Sequence, residues 1–486
     1  MLLLAIALFF IGVAWPLDEL QPVRTTTPVA IVNVATVDVA AGTLLPAQTV
    51  VIDRGRIVAA GAGVTPPKNA LVVDGRGRYL LPSLWDMHAH VYTVSPLVDL
   101  PLNIAYGVTN VRDMQGCPKP GDPFIACAEE KRLWSAEAVA GKRVGPRIVA
   151  TTSWMANGPG MAKRLGGVPA YFDTANAEQA RAFVRHFAGR AEAIKVYDRL
   201  PRESYFAIVD EARRLRMDVV GHRPHAVSAI EAAAHQKSIE HARFLLHESF
   251  AGAAELRAKG GTPAWKENRR RILGEHDPRM AQAIFAAMKA HGTWYVPTHL
   301  TRWSDAYAHD PVVREDPLLR YLHPLVKRQW VEDLDEVERD PSYREFYVKG
   351  LELTGQAHRA GVKILAGTDY IVAGADLHRE LQQLVAAGLP PAAALRAATL
   401  SPAEYFGLER HYGSVSAGKV ADVVLLDADP LRDIRNTRRI VAVVFNGNLY
   451  DRAALDRIDR HVARRARSWS VGCKVLWRFV KNPAGY

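Results

Sequence analysis

The sequence predicts an α/β protein in which a (β/α)8 barrel of the TIM type carries a small β-sandwich domain built from both chain ends. Three observations lead there. First, His88, Lys195, His222, His241 and Asp369 each close a short strand-like apolar run, and side chains at successive strand ends of a parallel barrel face one pocket. Second, strand candidates ending near His88, Arg112, Thr151, Val196, His222, His241, Pro297 and Thr368 alternate with helical patterns, the signature of repeated βα units. Third, Val29 to Val39, Val50 to Ala60 and Leu71 to Leu81 alternate apolar with polar residues between Gly, Asp and Pro turn signals, and this texture returns after Gly413.

Taken in order, residues 1–27 form an apolar segment and linker. The run from Met1 to Trp15 is too short for a spanning helix of about 20 residues and resembles a signal-peptide core, with Gly12-Val13-Ala14 as a small-x-small cleavage site. It lacks a preceding Lys or Arg. The expectation is export to the periplasm or medium, with an uncleaved membrane anchor or an ordinary hydrophobic start as alternatives. Residues 28–80 supply the first part of the sandwich and residues 411–450 the second, through Val420 to Leu426 and Ile440 to Phe445 before an Asn446-Gly447 turn.

Residues 81–410 hold the barrel. Helices fit between its strands: Glu203 to Arg216 places Phe206, Val209, Ala212 and Leu215 at three-residue spacing, and Pro391 to Leu400 begins with proline in its first turn. The stretches after His241 and Pro297 are longer than a crossover needs, which makes them candidate lids. Residues 451–486 form a basic extension, read as a helix ending in Trp469, Val471, Val475, Leu476, Trp477 and Phe479 that packs on the barrel or touches a membrane surface.

The 486 residues carry 62 Lys and Arg against 51 Asp and Glu, a net charge of +11. Much of the excess lies in scattered Arg and in the tail, and no nucleic-acid motif accompanies it, so a solvated basic surface is the reading and nucleic acid is not an expected partner. A small-molecule substrate is expected, and a homo-oligomer stays open. Membrane contact is expected only if the amino-terminal segment stays uncleaved. Of three cysteines, Cys117 and Cys127 bracket a Pro/Gly-rich loop and close a small disulfide if the protein is exported, or remain free thiols. Cys473 has no partner in that scheme.

In Asp86-Met87-His88-Ala89-His90 the i, i+2 spacing puts both imidazoles on one side of an extended strand, where two rings can bind one cation. Lys195, between Ile194 and Val196, would carry a costly buried charge at an inward position. Either it pairs with Asp198 or Glu192, or its amine adds carbon dioxide. The resulting carbamate removes the positive charge and offers two hard oxygen ligands.

These stretches, together with Val111-Arg112-Asp113, Gly145-Pro146-Arg147, Gly221-His222, Ile239-Glu240-His241, Ala366-Gly367-Thr368-Asp369, Ala397 to Ala403 and Gly418 to Val424, resemble the amidohydrolase superfamily. The resemblance is to its binuclear branch of imidazolonepropionase-like proteins and Xaa-Pro or Xaa-Arg dipeptidases. It implies one divalent metal held by His88, His90 and Asp369 and a second by His222 and His241, with carboxylated Lys195 bridging them and zinc as the simplest ion. It further implies a bridging hydroxide as nucleophile, with Asp369 moving its proton to the departing amine. Glu240 is either a carboxylate supporting a ligand or a simple strand-end charge.

The reaction so implied is hydrolysis of a C–N bond in an amide, cyclic amide or dipeptide. An ester or lactone hydrolase would use the same cage, and a noncatalytic binding relative is the alternative of another class. Substrate contacts can be named only by position after strand ends: Trp154 and Asn157, Tyr197 and Arg199, Arg223 and His225, Tyr370 and His378. Arg199 or Arg223 would grip a carboxylate, unless both simply face solvent.

Overall fold

Alternating apolar residues near the two chain ends meet in one sheet. In this computed structural model, which describes residues 2–259 and 266–481, the first strands are β1 (Val29–Asp38), β2 (Thr43–Asp53), β3 (Arg56–Gly61), β4 (Leu71–Asp74) and β5 (Tyr79–Pro82). Their partners from the other end are β14 (Val423–Leu426), β15 (Ile440–Phe445) and β16 (Asn448–Tyr450), and the pairing order is β16-β15-β14-β5-β1-β2-β3. β1 serves two neighbours on one edge. Its first half pairs with β4 and its second with β5, the strand being redirected at Asn33, whose φ is 57°. The strands thus form one branched sheet around an apolar cluster that includes Ile31, Val50, Ile57, Leu80, Val423 and Val444, rather than the two separate layers a sandwich implies.

The central chain supplies β6 (Leu84–Ala89), β7 (Val108–Asp113), β8 (Arg147–Ala156), β9 (Ala193–Val196), β10 (Asp218–Gly221), β11 (Ser238–Glu240), β12 (Trp294–Val296) and β13 (Lys363–Ile364). They pair in chain order, all parallel. The sheet curls. Past β13, the Ala366 carbonyl accepts from Met87 N–H at 2.9 Å and Asp369 N–H donates to the His88 carbonyl at 2.8 Å, so the last strand's extension lies along the first. This curled parallel sheet is consistent with a TIM-like barrel.

Helices cover it for the reasons their sequences give. Ala177–Phe187 starts at Asn176, whose Oδ1 accepts from Gln179 N–H at 3.0 Å, and buries Ala180, Phe183, Val184 and Phe187 at i, i+3, i+4, i+7 spacing. The helix expected from Glu203 spans Arg202–Arg214, and its buried stripe is Tyr205, Ile208, Val209 and Ala212, with Phe206 and Leu215 at the flank. Pro391 does open a helix, but that helix ends at Ala397. Thr399 turns its hydroxyl back onto the Leu395 carbonyl at 2.7 Å, and a separate helix runs Leu400–Phe406.

The basic extension is two helices. Arg452–Ala466, capped by Asp451, buries Leu455, Ile458 and Val462 in the main core. Trp469–Lys481 instead packs on the amino-terminal helix Leu2–Ala14; residues 482–486 of that extension, Met1, and the side chain of Phe479 lie outside what is described. No helix among the described residues is long and apolar enough to cross a membrane. Cys117 and Cys127 are joined in a disulfide, and Cys473 is free.

Candidate metal centre

The strand tops are held by short polar stitches. Asp86 accepts from the backbone N–H of His88 and of Thr368, each at 3.0 Å, and from the Thr368 hydroxyl at 2.6 Å, which locks β6 to the turn bearing Asp369. Burial pushes the Asp86 carboxyl up to about 6 despite these bonds. Two glycines make room. A Cβ on Gly221 would lie 2.5 Å from the Val196 carbonyl oxygen, and one on Gly367 would lie 2.7 Å from His88 N and Val296 Cγ1. His241, Thr298 and Asp369 sit at φ of 71°, 44° and 45°, in the left-handed region that non-glycine residues rarely occupy.

His88, His90, Lys195, His222, His241 and Asp369 line one cavity of about 220 Å³, together with Tyr197, Arg243 and Arg302. His90 Nε2 lies 3.0 Å from Asp369 Oδ1 and His88 Nε2 3.7 Å from the same oxygen. Candidate donor atoms of these three residues all fall within 4.8 Å of one another. On the other side, His222 Nε2 and His241 Nε2 face each other at 2.8 Å.

The remaining ring nitrogens explain that arrangement. His88 Nδ1 is 2.9 Å from Glu240 Oε2, His222 Nδ1 is 2.8 Å from Asp198 Oδ1, and His241 Nδ1 is 2.8 Å from the Thr298 hydroxyl. A proton kept on each Nδ1 leaves each Nε2 as an acceptor aimed into the cavity. Two acceptors cannot satisfy one another, but they can share a cation. Burial holds His222 down at about 4 and His241 well below its usual range, so both rings are neutral, as ligation requires. The donor set therefore fits divalent metal.

Glu240 is a supporting carboxylate. Fully buried, it also receives two bonds from Arg112, at 2.9 and 3.0 Å, and one from the Ser238 hydroxyl at 2.6 Å. Burial opposes its ionisation, but Arg112 and His88 hold its carboxyl below the usual range. Asp369 behaves likewise: His88, His90 and His241 overcome burial and keep it well below the ordinary carboxylate pKa. Lys195 is 2% exposed, and burial outweighs the attraction of Asp369 and Glu240 to push its amine down. Asp198 bonds His222 and Arg243, and Glu192 bonds Arg132, so neither carboxylate anticipated for Lys195 is devoted to it.

The named substrate contacts scatter. Tyr197 stacks on His222, ring centroids 3.8 Å apart, and lines the central cavity. Tyr370 lines an adjoining cavity of about 450 Å³ with Tyr92, Val326 and Trp330, and His225 lines another of about 410 Å³ with Asp198 and Arg243. Arg223 is buried, donating to the Val227 carbonyl at 2.8 Å and pairing with Glu248 at 3.2 Å, so its guanidinium organises its own loop. Arg199 is exposed, and Asn157 accepts its backbone N–H at 3.1 Å. Trp154 belongs to the core. His378, fully buried, bridges Thr437 and the Tyr106 carbonyl at 2.9 Å each, away from the strand tops.

Sequence reasoning missed Arg243, Thr298 and Arg302, and it named Asp198 only as a partner for Lys195, not for His222. Asp198 and Arg243 stand two or three residues beyond a ligand, a position that could have flagged them. Arg302 carries no such signal. It lies on the helix His299–Ala306 over the strand ends and lines all three adjoining cavities.

Comparisons with known proteins agree with this picture. A bottromycin amidohydrolase has a similar structure, with 24% identity, 92% of each chain covered and a TM-score of 0.68. A Xaa-Pro dipeptidase with bound methionine is similar at 19% identity, covering 87% of this chain and all of the other at a TM-score of 0.61. The ochratoxinase of A. niger follows at 22% identity, 88% and 96% coverage and a TM-score of 0.57. At these identities the likeness is one of fold. An adenine deaminase of Desulforamulus reducens is 45% identical over 47 residues, 10% of this chain, and the chain spans only 8% of that relative's length. Residues 79–450 match the amidohydrolase family, the greater part of the chain, and the protein is an enzyme of that family.

Proposed function

We propose that this enzyme hydrolyses the C–N bond of an amide, cyclic amide or dipeptide at a binuclear metal site. The observation that carries the reading is the convergence of four imidazoles, Asp369 and Lys195 on one cavity, with three rings fixed through Nδ1 so that Nε2 faces inward. His88, His90 and Asp369 would hold one ion, and His222 and His241 the other. Bound zinc would lower the pKa of water toward neutrality and polarise the scissile carbonyl.

Lys195 supplies the bridge in this reading. Its amine, whose pKa burial pushes down, attacks carbon dioxide in its neutral form; the N–C bond forms, a proton leaves, and two carboxylate oxygens face the cavity. Asp369, ionised and central, takes a proton from water and returns it to the departing amine. An anionic substrate group meets Arg302, which stands where the three cavities join, rather than Arg199 or Arg223.

The test is metal content after reconstitution together with a screen of N-acyl amino acids, dipeptides and lactones. About two ions per chain and turnover of an amide substrate support the proposal. Fewer than about half an ion per chain, or turnover of lactones alone, refutes it.

A further inference from the structure

The chain's two terminal helices form an apolar hairpin beside the active-site mouth. Leu2–Ala14 and Trp469–Lys481, 13 residues each, pack through Phe9 and Phe10 against Trp477, with ring centroids 6.3 and 5.4 Å apart. Gly12 is buried at the crossing, where a Cβ would run into the Trp469 ring at 2.4 Å and Cys473 Sγ at 2.6 Å. The Lys474 ammonium donates to the Val13 carbonyl. The pairing still leaves Leu3, Leu4, Leu8 and Phe10 exposed on one helix and Leu476 and Val480 on the other, Leu3 at 82%.

Three features select the surface that would cover this face. The helices are each about 20 Å long, too short for a hydrocarbon core of about 30 Å, so they suit the plane of an interface and not a crossing. Neither contains an acidic residue, whereas Lys474, Arg478 and Lys481 flank the apolar side chains, a pattern complementary to anionic lipid. The nearest acid beyond the first helix, Asp18, is already paired with Arg464 and Arg465 at the hairpin's base.

The hairpin also touches both walls of the cavity of about 450 Å³ that opens on Asp369. Arg478 donates to the Thr93 carbonyl at 3.1 Å, beside Tyr92 of one wall. Gly472 lies against His323, where a Cβ would come within 3.0 Å of its Nε2, and His323 caps the helix Pro324–Asp335 that carries Val326 and Trp330 of the other wall. Val326 is itself 53% exposed.

We propose that the paired terminal helices are a foot that seats the enzyme on an anionic lipid surface with this cavity's mouth toward the bilayer. The proposal adopts the uncleaved form of the amino-terminal segment and does not depend on the reaction proposed above. The test is sedimentation of the full chain with vesicles of phosphatidylglycerol and phosphatidylcholine, against phosphatidylcholine alone. Binding to the anionic vesicles that weakens with salt is expected. Leu4→Glu with Leu476→Glu, both at exposed positions, should reduce it at least about tenfold without changing the thermal melt. Lys481→Gln should weaken it by about fivefold. A chain that stays in the supernatant, a double variant that binds as well as the parent, or native protein lacking residues 1–14 would overturn the proposal, as would a dimer dissociated by Leu476→Glu in place of vesicle binding.

Discussion

Lys195 is where burial and chemistry point the same way, because an amine at 2% exposure gains by losing its charge. Lys195→Ala should lower turnover by at least about a hundredfold while leaving the melting temperature near that of the parent, and a short carboxylic acid should restore part of the rate. Asp369→Asn should divide the two properties: metal retained in large part, turnover lost, since an amide cannot carry the proton. Metal content and rate measured on the same preparations check both. Glu380 offers a test away from the reacting atoms. Fully buried, it accepts from His299 and Leu300 N–H, yet burial pushes its carboxyl up to about 8. A raised carboxyl keeps its proton in the fold when the unfolded chain has lost it, so its contribution is complete below the unfolded value of 4.5 and falls as pH rises toward about 8. Melting curves of Glu380→Gln should therefore lose less stability between about pH 6 and pH 9 than those of the parent.

At the scale of elements, the tops of β6 and β13 approach so closely that Gly367 is a spacing requirement. Gly367→Ala would press a methyl against His88 N and Val296 Cγ1, and should cost about 1–3 kcal/mol of stability and loosen metal binding, read by denaturant melts and metal titration. Most strand ends were legible: the anticipated ends at His88, Arg112, Val196, His222, His241 and Pro297 fall at or next to the ends of β6, β7, β9, β10, β11 and β12, and Thr368 lies on the extension of β13, whereas β8 runs on past Thr151 to Ala156. The contacts that aim the ligands were not. Thr298 contacts His241 from 57 residues away, and Glu240, for which a supporting role was one of two readings, contacts His88 across 152, separations at which local spacing cannot name the partner. The same holds for Arg302, whose value lies in a loop helix folding back over the strand tops. His378 misled for the converse reason: it follows the last strand closely, but its helix turns it toward Tyr106 and Thr437.

Across the whole molecule, the strands of residues 29–82 and of residues 423–450 share one sheet, and alternation alone cannot tell such a branched sheet from the sandwich expected of residues 28–80 and 411–450, because either has an apolar and a polar face. Similarly, the basic tail reads as one helix by composition, and only packing divides it into a half that belongs to the core and a half that meets the other terminus. The pairing of β5 with β14 also sets a schedule for the chain as it leaves the ribosome. β5 emerges more than three hundred residues before its partner, so the early strands wait with an unpaired edge throughout synthesis of the central domain. A chain ending at residue 410 should for that reason express mainly as aggregate, and supplying residues 411–486 as a separate fragment during refolding should return part of it to the soluble fraction; the two termini are made furthest apart in time, and the native state needs them side by side.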